Sequence, residues 1–541
     1  MELIRAIQLL KLNAVSTAWV DAVWDCEFTD AEPLDSTVED EIKEDVKVFK
    51  KVYKQLLGFS KEDSTQSVWN VFGENCVSVK SLVAVLACFV LGAKAKSSSV
   101  EQRRHSLQAA AVYLLLLRIP GSVANKVFHQ ILFDSCLDIV LKCWPQSAGK
   151  KRKKETLKSS QGDGKSGKRP KPPKKVSEEM VIDEEDDEEE EEEVYFSAQD
   201  LLGMREDVCS LIQTLLKLLE NFSLRDKPQS ADSCVRLFTE LTNLEPLVGE
   251  LSFSEKRDVD KLQSLPELAY HGLWLLCSSS NHGEGNECRR RVFFTDCCTL
   301  FLMMRKERAK PCLLPPSQAV CNARDQAILF ISQIVDEQTE ATLPLLKILI
   351  QHICHQIVEK SEYRASGAQA VGRLVTKMPC QNYADFVKWL FNYSLNTRVA
   401  FRMFALDVAM VLLAQEEREA DATLEPDLAS YLSHRFLVRS VVYGRRSDVS
   451  PTVRAHAMHC LAQCLELPSH NATKWIHELF SSSSTAGSQT MMETGHSEQT
   501  LKRGETAQKT ALTFRTIELT KHKSLAVTTR RSTDELPLAA A

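Results

Sequence analysis

Four short stretches in the second half of the chain share one spacing: an Arg, a small residue three positions on, and an apolar residue seven positions on. They are Arg324, Ala327, Ile331; Arg364, Gly367, Val371; Arg402, Ala405, Ala409; and Arg454, Ala457, Leu461. The arginines lie 40, 38 and 52 residues apart. Positions three and seven residues on share one helix face, so each stretch predicts a helix with a small-then-apolar stripe. The small residue lets the paired helix of the same repeat approach closely, and the Arg at the helix start is placed to meet an Asp of a neighbouring turn. The last copy is the fullest, with Asp448, Pro451, Val453 and Arg454 in order. One such match would mean little where Arg and Ala are common; four at this spacing predict a stack of helices.

The first two intervals are at or close to the HEAT and armadillo period of about 40–47 residues, and the third predicts a loop insertion. Helix-length apolar patterns run over 100–118, 123–144, 208–222, 265–277, 343–358, 383–393 and 401–413, separated by short breaks. None shows the period-two alternation of a half-buried strand. With 19 Gly and 18 Pro in 541 residues, the frequent tight turns of an all-β chain are not expected. The expected fold is all-α, a HEAT/armadillo-type helical-repeat solenoid with a disordered charged insert.

Composition places that insert. From Lys150 to Lys175 there are 12 basic and 2 acidic residues, and from Glu178 to Glu193 there are 13 acidic and no basic ones. These blocks nearly cancel within a net charge of −6. Segments so poor in apolar side chains do not offset their chain entropy by burial. The expected organisation is N-terminal helical repeats over 1–145, a disordered basic-then-acidic insert over 146–196, the solenoid over 197–480, and a divergent, disordered tail over 481–541. The tail shows no capping repeat with a polar outer face, so the array reads as interrupted.

Outside the two blocks the charge is nearly balanced, so any nucleic-acid-binding patch must be local. Two basic clusters, Lys150, Lys151, Arg152, Lys153, Lys154 and then Lys168, Arg169, Lys171, Lys174, Lys175, suit an import receptor, with DNA contact as a secondary role. The 17 cysteines lack a disulfide framework and read as reduced core residues. The longest apolar run, 82–93, is too short to span a membrane, and charges at Glu2, Arg5 and Lys11 speak against a signal peptide.

Enzyme chemistry finds no anchor. The run from Gly162 to Arg169 approaches a phosphate-binding loop but lacks the flanking strand and helix, and Arg169 stands where a hydroxyl is needed. His352, Cys354 and His355 lack a second ligand pair for zinc. Neither a cofactor nor catalytic residues are expected.

Irregular stretches carry a further likeness: Trp19-Val-Asp-Ala-Val-Trp24 with Glu32-Pro-Leu-Asp35, Pro120-Gly-Ser-Val-Ala-Asn125 through His129, Pro266-Glu-Leu-Ala-Tyr270 through Gly285, Lys360-Ser-Glu-Tyr-Arg364, and Pro451-Thr-Val-Arg454. Over about residues 19–480 the chain resembles the HEAT-repeat D subunit of condensin II, either its N-terminal part or a short isoform. The resemblance implies a non-enzymatic scaffold that helps to organise mitotic chromosomes in the nucleus. Its implied partners are a pair of SMC ATPases, a kleisin and a second HEAT subunit, with chromatin or DNA contacted and no membrane. Members of that family continue through further repeats, and nothing after about 490 matches that plan. The alternative reading is a nuclear transport or adaptor solenoid that binds cargo peptides.

Overall fold

The structure is a computed structural model. It describes residues 2–144 and 196–467, leaving out 30–32, 46, 61–66, 93–97, 243, 246–257, 279–291, 293–317, 357–360 and 423. The charged insert and the tail expected over 481–541 lie outside the described residues.

The chain is an all-α helical-repeat solenoid. Its N-terminal helices are α1 (Glu2–Gln8), α2 (Thr17–Asp25), α3 (Ser36–Lys43), α4 (Val48–Leu57), α5 (Val68–Glu74), α6 (Val79–Gly92), α7 (Val100–Arg118) and α8 (Gln130–Cys143). Beyond the insert follow α9 (Ala198–Leu219), α10 (Pro228–Leu241), α11 (Leu265–Ser278), α12 (Gln318–Glu337), α13 (Thr339–Gln356), α14 (Ser361–Val375), α15 (Cys380–Tyr393), α16 (Val399–Leu413) and α17 (Pro451–Cys464).

One continuous row sets the architecture. Helix α7 packs on α9, α9 on α11, α11 on α12, α12 on α14, α14 on α16, and α16 on α17. A second layer runs beside it, with α8 against α10, α13 against α14, and α15 against α16. Helix α7 opens on a reciprocal cap: Ser99 Oγ accepts from the Gln102 amide, and Gln102 Oε1 accepts from the Ser99 amide, which satisfies two donors that a helix start leaves open. Residues 107–117 of α7 are buried throughout, because α4, α6, α8 and α9 surround it. The apolar run 82–93 lies largely in α6, buried against α7. Among the described residues no single helix is long and apolar enough to cross a membrane, and α5 with α6 reaches that length only across a 107° bend.

Two boundaries differ from the sequence expectation. The pattern over 123–144 starts its helix only at Gln130. Residues 119–127 instead form a tight turn, held by the Ser122 hydroxyl donating to Leu117 O at 2.8 Å and by Gly121 at φ 90°. Buried Tyr113 closes it, its hydroxyl donating to Val127 O at 3.2 Å and accepting from the His129 amide at 2.9 Å. The 52-residue interval between Arg402 and Arg454 holds an irregular second helix: a turn at His434–Phe436, a π-helical stretch at Leu437–Val442 and a 3-10 turn at Tyr443–Ser447.

The small residues of the repeat stripe, Ala327, Gly367, Ala405 and Ala457, are all buried. Another small residue on this row, Gly372, makes a close approach toward the next repeat rather than toward the paired helix. A Cβ on Gly372 would lie 2.3 Å from Val411 Cγ1, across the α14–α16 contact. Gly372→Ala should therefore destabilise the array by about 1–3 kcal/mol through overpacking. Adding Val411→Ala should recover part of that loss in thermal melts; equal melting of Gly372→Ala and the unaltered chain would contradict this packing.

Candidate functional site

The Arg of the third repeat copy is held by two loops at once. Arg402, near the start of α16, sends Nη1 back to the carbonyls of Asn396 and Thr397 at 2.8 and 2.9 Å. Its Nε and Nη2 go forward to Asp448 Oδ2 and Oδ1, both at 2.9 Å. Both side chains are sealed from solvent, 7% and 2% exposed. Asp448 Oδ1 also accepts from the Ser450 amide at 2.9 Å, one residue before Pro451 occupies the first position of α17. Arg454 repeats the backward half of the pattern, donating to Asp448 O and Val449 O at 2.7 and 3.2 Å, and Val453 is fully buried beside it. Each guanidinium thus closes its own loop, and Asp448 joins that loop to the preceding repeat. Burial alone would raise the Asp448 carboxyl, but hydrogen bonds from Arg402 and the Ser450 amide, with the charges of Arg402 and Arg445, hold it below the usual carboxylate range.

The other sequence-selected arginines are used differently. Arg364 on α14 lies 3.3 Å from Asp407 Oδ2, and the other oxygen of that carboxylate lies 2.6 Å from His456 Nε2. Asp407, on α16, therefore joins the helices on both sides of it. Arg324 pairs with its neighbour Asp325 at 3.1 Å, and Asp325 also takes Arg373 of α14 at 3.3 Å.

An equivalent latch earlier in the chain was not legible from the stripe. Arg205 on α9 makes a two-pronged pair with Glu245 at 2.8 and 2.9 Å and donates to Gln263 O at 2.7 Å. Glu245 Oε1 then accepts from the Leu265 amide at 2.7 Å, at the start of α11. Arg205 is followed by Val208 and Ile212, so it lacks the small residue. The better signal is an acid 40–46 residues after an Arg: Glu245 follows Arg205 by 40, Asp407 follows Arg364 by 43, and Asp448 follows Arg402 by 46.

Beside the 402–448 latch Arg398, Arg446 and Arg454 are exposed; Arg435 and Arg439 are exposed further back on the irregular second helix, where the neighbouring His434 amide donates to Glu417. Over 431–460 the single acid is Asp448, which Arg402 already neutralises. Arg446 lies over the Tyr443 ring at 3.7 Å and Arg398 over the Phe401 ring at 5.2 Å, contacts that order each guanidinium while leaving its edge for an anion. This is the candidate interaction surface.

Of the remaining candidates, the basic clusters at 150–154 and 168–175 and the run 162–169 lie outside the described residues. Cys354 is buried, its carbonyl accepting from the Tyr393 hydroxyl at 2.6 Å, and His355 packs edge-on to Tyr393 and Phe401. Burial pushes the Cys460 and Cys464 thiols up to about 12 and about 11, which keeps them protonated and unreactive. No group of three residues that could hold a metal ion occurs among the described residues.

Stacked helices whose loops are latched from repeat to repeat define a HEAT-type helical-repeat protein. The family model described as the N-terminal domain of condensin-2 complex subunit D3-like proteins matches residues 19–219. Condensin-2 complex subunit D3-L of Xenopus laevis is 47% identical over 488 residues, 89% of this chain and 33% of its own. Condensin-2 complex subunit D3 of Mus musculus is 40% identical over 472 residues, 86% of this chain and 31% of its own. The chain belongs to this condensin-2 subunit D3 family, and it spans about a third of the length of these two relatives.

The latch has a pH signature. A carboxyl depressed in the fold contributes stability that is fully present above its unfolded value and lost as pH falls through its folded value. Both Asp448 and Glu245 are depressed; for Glu245, burial is outweighed by Arg205 and the Leu265 amide. The first urea transition should therefore weaken between about pH 5 and pH 3. Asp448→Asn should cost about 3–5 kcal/mol at pH 7, as expected when one partner of a buried pair is removed, and should show a shallower acid dependence. Parallel pH profiles for the two chains would rule out this role for Asp448.

Proposed function

We propose that the chain is a non-enzymatic scaffold subunit of condensin II that supports mitotic chromosome assembly. The observation that carries this reading is its 47% identity, across 89% of its length, with a protein named as a condensin-2 D3 subunit. In this reading it works in the nucleus and on mitotic chromosomes beside a pair of SMC ATPases, a kleisin and a second HEAT subunit. The helical rows offer a partner segment an extended surface of fixed spacing, as stacked repeats do.

The exposed arginines 398, 446 and 454 beside the latch give that scaffold a DNA-contacting patch. Their chemistry suits phosphate and carries no base readout. Import rests on the clusters at 150–154 and 168–175. The cargo-adaptor alternative gains no support from Trp274, which is buried, with its indole N–H donating to Glu337 at 2.9 Å, rather than set in an open groove.

Affinity purification of this chain from mitotic cells should recover the SMC and kleisin subunits, and replacing both basic clusters by Ala should leave the chain cytoplasmic. In DNA titrations, neutralising Arg398, Arg446 and Arg454 should weaken binding and flatten its salt dependence, each lost phosphate contact lowering the log–log slope by about 0.9. Absence of SMC and kleisin subunits from the purified material would remove the condensin role for this chain, and an unchanged salt slope would remove the DNA face.

A further inference from the structure

Ser450 stands immediately before α17 with its hydroxyl unused. A serine in that position ordinarily accepts a hydrogen bond from an amide of the first helical turn, but Ser450 makes no such bond among the described residues. Its amide donates to Asp448 Oδ1 at 2.9 Å, and its backbone is extended, at φ −85° and ψ 126°. Val449, Pro451 and Thr452 on either side are exposed and Ser450 itself is half-buried, so a second protein can reach this loop. Of the 18 prolines in the chain, Pro451 alone follows a Ser or Thr.

The same loop gathers more positive than negative charge. Arg402 holds both oxygens of Asp448 at 2.9 Å, Arg445 Nη1 lies 3.6 Å from Asp448 Oδ2, and Arg454 Nη1 donates to Asp448 O and Val449 O at 2.7 and 3.2 Å. In these contacts three guanidinium groups meet one carboxylate, which leaves two positive charges uncompensated. The excess is visible at Arg445: its Nε is buried without an acceptor among the described residues, and burial, with Arg402 beside it, holds this guanidinium below its ordinary value against the opposing pull of Asp448. Arg454 is exposed, and its Nε and Nη2 make no hydrogen bond among the described residues. A dianion with several acceptor oxygens would balance the loop. A phosphoserine is such a group, carrying about −1.5 to −2 charge at pH 7 and three acceptor oxygens.

We propose that Ser450 is a phosphorylation site for a proline-directed Ser/Thr protein kinase, with Arg454 as the side chain that holds the phosphate. In the transfer, Ser450 Oγ attacks the γ-phosphorus of ATP, the bond to the bridging oxygen breaks, ADP leaves with that electron pair, and the hydroxyl proton passes to the base of the kinase. The product offsets the surplus charge of Arg445 and Arg454 and ties the start of α17 to its loop by a fork of charged hydrogen bonds. It also draws Arg454 away from solvent. Modification therefore weakens DNA binding, a consequence that alone rests on Arg398, Arg446 and Arg454 forming a DNA-contacting patch.

Treatment of the full folded chain with a purified proline-directed kinase and MgATP, followed by peptide mass spectrometry and phosphorus-31 NMR, tests the site. Phosphate should appear at Ser450 and be lost in Ser450→Ala, which should melt with the unaltered chain because the hydroxyl makes no bond. The phosphoserine resonance should titrate about 0.5–1 unit below its ordinary value of about 6. Arg454→Gln should return the midpoint to that value, and Arg454→Lys, which keeps the charge without the fork, should give an intermediate one. No phosphate at Ser450, incorporation only after the chain is unfolded, or an ordinary midpoint in the unaltered chain would overturn the proposal. DNA titration of the phosphorylated chain separates the two readings: with a lowered midpoint at Ser450, unchanged DNA affinity removes the DNA-contacting patch and leaves the phosphorylation site established.

Discussion

Each repeat of this array has to meet the next at a fixed height and angle, and apolar burial alone does not fix either, because hydrophobic contact is non-directional. Arg402 supplies the missing direction. Its planar fork holds two carbonyls of its own loop and both oxygens of Asp448, and Asp448 in turn holds the amide that opens α17. A slip of one residue would leave a guanidinium and a carboxylate buried without partners, at a cost of several kcal/mol for each ion. The pair thus contributes more to register than to net stability, since a buried ion pair often does no better than a well-packed apolar replacement. Arg205 and Glu245 repeat the device near α9 and α11, and Asp407 extends it across three helices.

The latch also shapes what the surface offers. Its carboxylate is consumed internally by Arg402, and Arg398, Arg446 and Arg454 beside it are exposed. The same folding of loops 396–398 and 448–450 around Arg402 brings Arg398 and Arg454 to neighbouring helix starts. A structural ion pair and a basic face are in this sense two products of one local arrangement.

How much of this was legible in the sequence depends on whether a signal is local. The limits of α7 coincide with the pattern over 100–118, because an apolar helix with a Ser–Gln cap and a following Pro-Gly is defined by its own residues. The start of α8 was misplaced by seven residues, since Tyr113, a full helix earlier, closes the turn that holds 119–127. Arg402 and Asp448 stood out because each belongs to a copy of the stripe. Arg205 and Glu245 did not, because Val208 replaces the small residue and only the 40-residue separation marks the pair. The exposed arginines beside the latch were hidden by a net charge of −6 that two opposed blocks dominate.

Arg–carboxylate pairs, fully buried at Arg402 and partly exposed at Arg205, fix one repeat to the next, and hydrogen–deuterium exchange on Arg205→Met tests this most directly. Loss of this pair should release the Leu265 amide held by Glu245 and speed exchange through the start of α11 and the facing part of α9, while α16 and α17 keep their protection because their own latch is intact. Unchanged exchange at Leu265, or equal loss of protection along the whole array, would contradict the account.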